Sequence, residues 1–484
     1  MWKTFTQWVW LKSLRAEGHE KLGYPYFPKV SKLQKVLPTW WLNDTLQRGV
    51  RSKDELTKLS HLCSTRGLPC PDQKIILKSL DKWSKNMTDD QMQETFPGHY
   101  AQTLGYELSS TLGFKNNPKK VHLFKRAMHV SLTNSASYDF PRHSGGRATE
   151  VSSLFRDFLL SDNVSFEGFD VFGTQLSCEP CSPVGEQLYN SDLDPNRFDR
   201  VLEDSPHLFN EYGGYGKDLG RFLHFFACYT GRKEGYLQCI DDDFRTLKPT
   251  GKPLPVKAFS VGEPGGKARI VTASPWWLTI LLQPFGHGLV SMLSTVPQAA
   301  SGLTSSYQGF EYAKALSSKD PGHWDNSFLI KKTDLETATD FVDWASSKKL
   351  LSGFAAGCSL DSEVMPYFTL SSELLLSPRL VTHVGDQPVY FETVRGSPMG
   401  DPGTKGLLTL LSLAAEEHAI REFRRVRGPS ASTGWRCFAL SGDDLVAVGP
   451  REYLLAIRSG QQGFGLVISE EKDFVSPLGT TYCE

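Results

Sequence analysis

The chain has 484 residues, 39% apolar and 22% charged, and its 53 basic and 54 acidic side chains give a net charge of −1. Such a composition excludes a disordered or low-complexity protein, and the length allows roughly two to four folded lobes. Near-neutrality excludes a wholesale basic nucleic-acid coat but is compatible with a local basic channel.

The basic, aromatic start from Met1 to Arg15 reads as an amphipathic helix, its apolar stretch being too short and too polar for a secretion signal. The nine cysteines form no dense framework, which fits a reducing compartment and free thiols. Cys178 and Cys181, with His61, Cys63 and Cys70 as distant partners, form half a structural zinc site as the alternative. Residues 1 to 255 mix helical patterns with polar loops. Within them, Lys119 to Arg126 interleaves cations with His122 and Phe124, and Arg142 and Arg147 flank Gly145-Gly146. Each is a candidate RNA path, through phosphate contacts at Lys125, Arg126 and Arg147 and, in the first, ring stacking; a solvated basic face is the simpler alternative.

Gly251-Lys252-Pro253-Leu254-Pro255 breaks the pattern before a more regular second half. A Gly-rich loop from Gly262 precedes Lys267 and Arg269, two apart in a β-like run, so alternation sends both to one face, where they would either grip a triphosphate or stand as two surface charges on a solvated hairpin. Trp276 to Val296 is apolar but interrupted by Gln283, Pro284 and His287, so no membrane span is expected. Phe328-Leu329-Ile330 leads as a strand into Asp334, and Asp340 is read as the start of a helix. Leu380 to Val394 reads as a hairpin turning at Gly385-Asp386, followed by a Gly/Pro-rich loop from Gly396 to Gly406. A helix then runs from Leu407 to about Arg425, with Arg421, Arg424, Arg425 and Arg427 suited to its C-terminal end. A hairpin (Cys437 to Leu440, Leu445 to Val448), a helix (Tyr453 to Gln461) and a strand (Leu466 to Ile468) complete an α+β order of antiparallel strands backed by helices.

Ser441-Gly442-Asp443-Asp444 sits at the tip of that last hairpin. Adjacent carboxylates repel, so a tight turn carrying two of them is suited to divalent metal. The tripeptide alone arises by chance in roughly one chain in ten of this length, so its neighbours carry the weight. If the Asp334 strand lies beside this hairpin, Asp334, Asp443 and Asp444 converge into a cluster suited to two Mg²⁺ or Mn²⁺ ions about 3.5–4 Å apart. The glycines at 396 and 400 would let backbone approach a ribose or phosphate, with Ser397 and Thr404 supplying hydroxyls at a helix start. Lys472 is a candidate proton donor to departing pyrophosphate.

In order, the Lys267/Arg269 loop, Asp334 to Asp340, Gly396-Ser397-Pro398-Met399-Gly400, Ser441 to Asp444, and Ser469 to Glu484 resemble motifs F, A, B, C, D and E of viral RNA-directed RNA polymerases. The nearest likeness is to the narnavirus, mitovirus and ourmiavirus-like (botourmiavirus-like) group, and Asn134 to Ser137 with Gly145-Gly146-Arg147 resembles its fingers region. Glu336 and Thr337 depart from the small Ser-Ala of that group's motif A, and Lys405 stands where the group often has Trp.

The resemblance implies a right-hand polymerase fold. Residues 1–325 would form the N-terminal region and fingers, with motif F at 263–272. Residues 326–350 would be palm, 351–385 a fingers insertion and 386–484 palm again, with no thumb. The stop at Glu484, within motif E, is expected to reflect a partial sequence. By motif position, Asp334, Asp443 and Asp444 would hold two Mg²⁺ or Mn²⁺ ions. Lys267, Arg269, Asp340, Ser397 and Thr404 would contact the nucleoside triphosphate, with Asp340 at the ribose, and Lys472 would be the general acid. The implied activity is RNA-directed RNA synthesis replicating a positive-strand viral genome, with RNA template and product as partners. The implied location is the host cytoplasm, or alternatively the mitochondrion. A reverse transcriptase and an inactive, polymerase-like RNA-binding protein are the rival readings.

Overall fold

The computed structural model describes residues 70–89, 94–115, 117–159, 166–169, 175–178, 217–240, 247–263, 267–304, 308–319, 327–362, 364–384, 387–470 and 472–477. The described chain runs α1 (Gln73–Thr88), α2 (Gly98–Thr111), α3 (Pro118–Ala127), α4 (Gly146–Leu159), β1 (Phe166–Phe169), β2 (Gln175–Cys178), α5 (Lys217–Lys233), β3 (Leu237–Cys239), β4 (Leu247–Pro249), β5 (Leu254–Glu263) and β6 (Lys267–Ala273). It continues through α6 (Trp276–Leu293), α7 (Pro297–Thr304), α8 (Gln308–Ser317), β7 (Leu329–Asp334), α9 (Trp344–Cys358), α10 (Met365–Leu375), β8 (Arg379–Val384) and β9 (Gln387–Glu392). The last elements are α11 (Thr404–Arg427), β10 (Cys437–Ser441), β11 (Asp444–Gly449), α12 (Arg451–Gln462) and β12 (Phe474–Ser476). The architecture is α+β.

Two four-stranded sheets organise it. One has the order β10-β11-β7-β12 and is antiparallel throughout. The other has the order β6-β5-β8-β9, with β5 and β8 parallel and the outer pairs antiparallel. Helix α1 begins at Asp72, whose side chain accepts from the Ile75 amide at 2.8 Å. It buries Leu80, Trp83 and Met87, a helical spacing, and Trp83 and Met87 pack with Val256, Ala258 and Val381 of the second sheet. From this position the neighbouring face of α1 reaches the loop that follows β7.

Helix α6 is the apolar stretch around Pro284 and is buried nearly all round. The Tyr367 hydroxyl is inserted into its ladder. The Phe285 amide donates to Tyr367 Oη at 2.8 Å, and that hydroxyl donates to the Leu281 carbonyl at 2.7 Å, where the direct i to i−4 bond would otherwise run. Among the described residues no helix is long and apolar enough to cross a membrane.

Three boundaries differ from the sequence reading. Leu466 to Ile468 is not a strand. Glu336 N donates to Val467 O at 2.8 Å and Ser469 N to Asp334 O at 2.9 Å, so the segment meets β7 only where that strand ends, in one bridge between Leu335 and Ile468. The edge strand is instead β12. Asp340 does not start a helix, because its amide closes a turn onto Thr337 O at 2.8 Å. Asp343 caps α9, its carboxylate accepting from Ser346 N at 2.7 Å. Helix α10 has no counterpart in the sequence reading.

Candidate active site

Strands β10 and β11 pair from Cys437–Val448 to Ser441–Asp444, leaving Gly442 and Asp443 as a two-residue turn. Gly442 has φ +63, and an added Cβ would meet nothing within 4 Å. Glycine is required there by conformation rather than by space, since positive φ at the first turn position matches the twist of the paired strands. Leu445, Val446 and Ala447 are buried, so the acids stand at the end of an apolar hairpin.

Strand β11 lies antiparallel to β7 with Asp444 directly opposite Asp334. The register thus gathers Asp334, Asp443 and Asp444 at one end of the sheet. Burial raises the Asp443 carboxyl, as does the Asp334 charge, against the lowering effect of Lys472 and Arg269. Burial also raises Asp444; Asp334 and Asp443 push it the same way, and Lys332 and Lys472 oppose them. Lys472 Nζ is hydrogen-bonded to Asp334 Oδ2, and Lys332 Nζ lies 3.8 Å from Asp444 Oδ1. As the side chains stand, no group of three or more His, Cys, Asp or Glu among the described residues is arranged to hold a metal ion. The donor set is nonetheless of the right chemistry. Mutually repelling hard oxygens attract a divalent cation, and the two lysines supply the positive charge in its place.

The loop after β7 is tightly held. Thr337 has φ +48, uncommon for a β-branched residue, and Glu336 pairs with Lys82 of α1. Asp340 is buried, and its carboxyl is pushed up to about 6 by burial, against hydrogen bonds from Asn86 and Thr337 and the charge of Lys82. Asn86 Nδ2 donates to Asp340 Oδ2 at 3.1 Å and to Thr337 Oγ1 at 3.2 Å.

The loop preceding α11 is tied to the same place. Gly396 N donates to Val342 O at 2.9 Å and Ser397 N to Thr339 O at 2.8 Å. Ser397 Oγ and Thr404 Oγ1 are 3.0 Å apart, and the latter donates to Pro398 O at 2.8 Å. Gly400 N donates to Thr272 Oγ1 at 3.1 Å, and a Cβ on Gly400 would stand 1.9 Å from Thr272 O. The close approach expected of Gly396 and Gly400 is therefore made to the protein's own backbone. Asp401 accepts from Ser274 Oγ and from Arg379 Nη2 at 2.9 Å, all three groups being buried.

Lys267 and Arg269 lie two apart on β6, opposite Glu263 and Val261 of β5; residues 264–266 between the strands lie outside the described residues. Arg269 Nε is 2.6 Å from Glu263 Oε1, and its charge acts on Asp443. The more distant basic candidates fare differently. Lys125 and Arg126 are exposed on α3, with Lys125 3.6 Å from Asp361. Phe124 is fully buried and packs edge-on against Phe285, so it offers no face for base stacking. Arg147 is buried too, with its pKa lowered to about 10 by burial against the charges of Glu150 and Asp401; it does not line an open path. Gly146 packs on the carbonyls of Asn134 and Ser135, which joins the two stretches read as one region. Cys178 ends β2, whereas His61, Cys63 and Cys181 lie outside the described residues, as do Tyr482 to Glu484. Cys70, Cys358 and Cys437 are free thiols.

Sequence reasoning missed Lys332, Asn86, Arg379 and Asp401. Lys332 had a signal, since two residues before Asp334 on a strand is the same face. Asn86 had none, its partner being 254 residues away. No protein-family model and no curated protein sequence matches this chain.

Proposed function

We propose that the chain is an RNA-directed RNA polymerase of the narnavirus, mitovirus and ourmiavirus-like kind, with a right-hand fold in which β7 and β10–β12 form the palm. The single observation that carries this reading is the β7–β11 register, which sets Asp444 against Asp334 and beside Asp443. The motif order in the sequence supports it, as does the way the loops after β7 and before α11 and the strand β6 are knotted together around that end of the sheet. The β5–β6–β8–β9 sheet and the helices before β7 would then belong to the fingers.

In this reading the 3′ hydroxyl of the product strand attacks the α-phosphate of a nucleoside triphosphate paired to the RNA template, and pyrophosphate leaves. Two Mg²⁺ or Mn²⁺ ions held by Asp334, Asp443 and Asp444 would supply the activation of that hydroxyl and the neutralisation of the leaving oxygens. Lys267 and Arg269 would bind the triphosphate, an anion suited to paired cations on one strand face. Lys472, ion-paired to Asp334 here, would have to release it before serving as an acid toward pyrophosphate. Ser397, Thr404 and Asp340 would line the ribose side. Viral genome replication in the host cytoplasm belongs to the same proposal.

The test is primer extension on an RNA template with the purified full chain, Mg²⁺ or Mn²⁺ and rNTPs. Extension by the wild type and its loss by at least a hundredfold in Asp443→Ala is the expected result, on the order of the effect of removing a group that stabilises transition-state charge. Undiminished extension by the variant would overturn the metal assignment. Preference for dNTPs would favour the reverse transcriptase, and RNA retention without incorporation the inactive binder.

A further inference from the structure

Helix α1 lies outside every stretch whose sequence carried a motif, yet two of its side chains close on the loop after β7. Lys82 and Asn86, four residues apart and so on one helix face, meet Glu336 and the Thr337–Asp340 turn respectively. The neighbouring face holds Trp83 and Met87 in the apolar cluster with β5 and β8. Asn86 is therefore delivered by a helix whose own position is fixed by packing on the second sheet.

What Asn86 holds is an unusual carboxylate. Asp340 is buried, no ion pair to it occurs among the described residues, and Asn86 and Thr337 are its side-chain hydrogen-bond partners. The amide also bonds Thr337, whose positive φ is a strained conformation that persists only where its surroundings over-determine it. One side chain thus fixes both the turn and the acid that ends it. Ser397, bonded through its amide to Thr339, stands on the other side of that turn.

We infer that Asn86 is a positioning residue for sugar selection, orienting the Asp340 carboxylate so that it accepts a hydrogen bond from a ribose 2′ hydroxyl. The inference rests on the polymerase reading and deepens it. A ribonucleotide differs from a deoxyribonucleotide at that position only by this donor, so a fixed, buried acceptor rewards one and gains nothing from the other. An acceptor free to swing would lose that discrimination without touching the chemistry at Asp334 and Asp443.

The experiment is single-nucleotide extension of an RNA primer by the full chain, comparing kcat/KM for a ribonucleotide with that for its 2′-deoxy counterpart. Asn86→Ala is expected to lower the ribo-to-deoxy ratio about tenfold, the worth of one hydrogen bond to a charged group, with deoxynucleotide incorporation little changed. Lys85→Ala, on the same helix and paired to exposed Asp81, is expected to leave the ratio alone. A ratio in Asn86→Ala within twofold of wild type overturns the inference. An equal loss for both nucleotides, down to none, also overturns it, because that is what simple damage to the fold produces. A wild type that incorporates neither nucleotide overturns the polymerase reading and this inference with it.

Discussion

Replacing Asp340 by Asn is expected to stabilise the protein while costing it sugar selectivity. Burial moves the Asp340 carboxyl from the ordinary 3.8 to about 6, a bias of about 3 kcal/mol toward the neutral form. The sign follows from linkage. Well above pH 6 the side chain is ionised whether the chain is folded or not, and the folded state bears the full cost of a buried charge. Below about pH 4 it is protonated in both states and the cost vanishes. An asparagine is neutral throughout and keeps a carbonyl to accept from Asn86. The variant should therefore exceed wild type by about 3 kcal/mol at pH 8 and by about half that at pH 5. Urea denaturation at the two pH values measures this as a shift in midpoint at unchanged slope. A variant no more stable than wild type at pH 8, or a gap that is the same at both pH values, would refute the reasoning. A stability gain of this size on neutralising a buried charge is the mark of a group retained for function.

Three further variants test how the site is held. Asp401→Asn leaves the buried Arg379 guanidinium without its counter-charge and should cost about 3–5 kcal/mol in urea denaturation, whereas Arg379→Met combined with Asp401→Leu, which removes both charges, should recover most of that loss. Tyr367→Phe removes the hydroxyl that relays Phe285 N–H to Leu281 O; with His224 Nε2 3.3 Å from that same carbonyl, one orphaned amide remains and should cost about 1–3 kcal/mol in the same assay.

The sheet around Asp334 was legible because its signals are local. Continuous apolar runs on either side of Gly442-Asp443 fix β10 and β11, and the residues of β7 follow directly from the apolar run before Asp334. The adjacency of β7 and β11 was only conditional in the sequence, since nothing local specifies which strands neighbour each other. Segment 466–468 was misread for a physical reason: Leu466 and Ile468 are buried, as an alternating strand would have them, but the chain reaches β7 after that strand has ended. The contacts that hold the site were illegible. Asn86 to Asp340 spans 254 residues and Ser274 to Asp401 spans 127, and side chains of these types occur throughout the sequence with no pattern to single them out.

Strand β7 shows why the acids converge as they do. Lys331, Lys332, Thr333 and Asp334 are all buried, a costly run unless each charge has a partner. Alternation divides them. Lys331 and Thr333 face Asp473, which Arg458 of α12 also meets at 3.2 Å, and Glu470 pairs with Arg458 in turn, so two cations on that side are balanced by two carboxylates just before β12. Lys332 and Asp334 face the other way, toward Asp444. On that side three carboxylates (Asp334, Asp443, Asp444) meet two ammonium groups (Lys332, Lys472), an excess of one negative charge. Lys332 is buried on the strand and stays, whereas Lys472 is half exposed at the end of a loop and is free to withdraw. Its withdrawal would leave two excess negative charges among hard oxygens, which is the electrostatic demand that divalent cations meet.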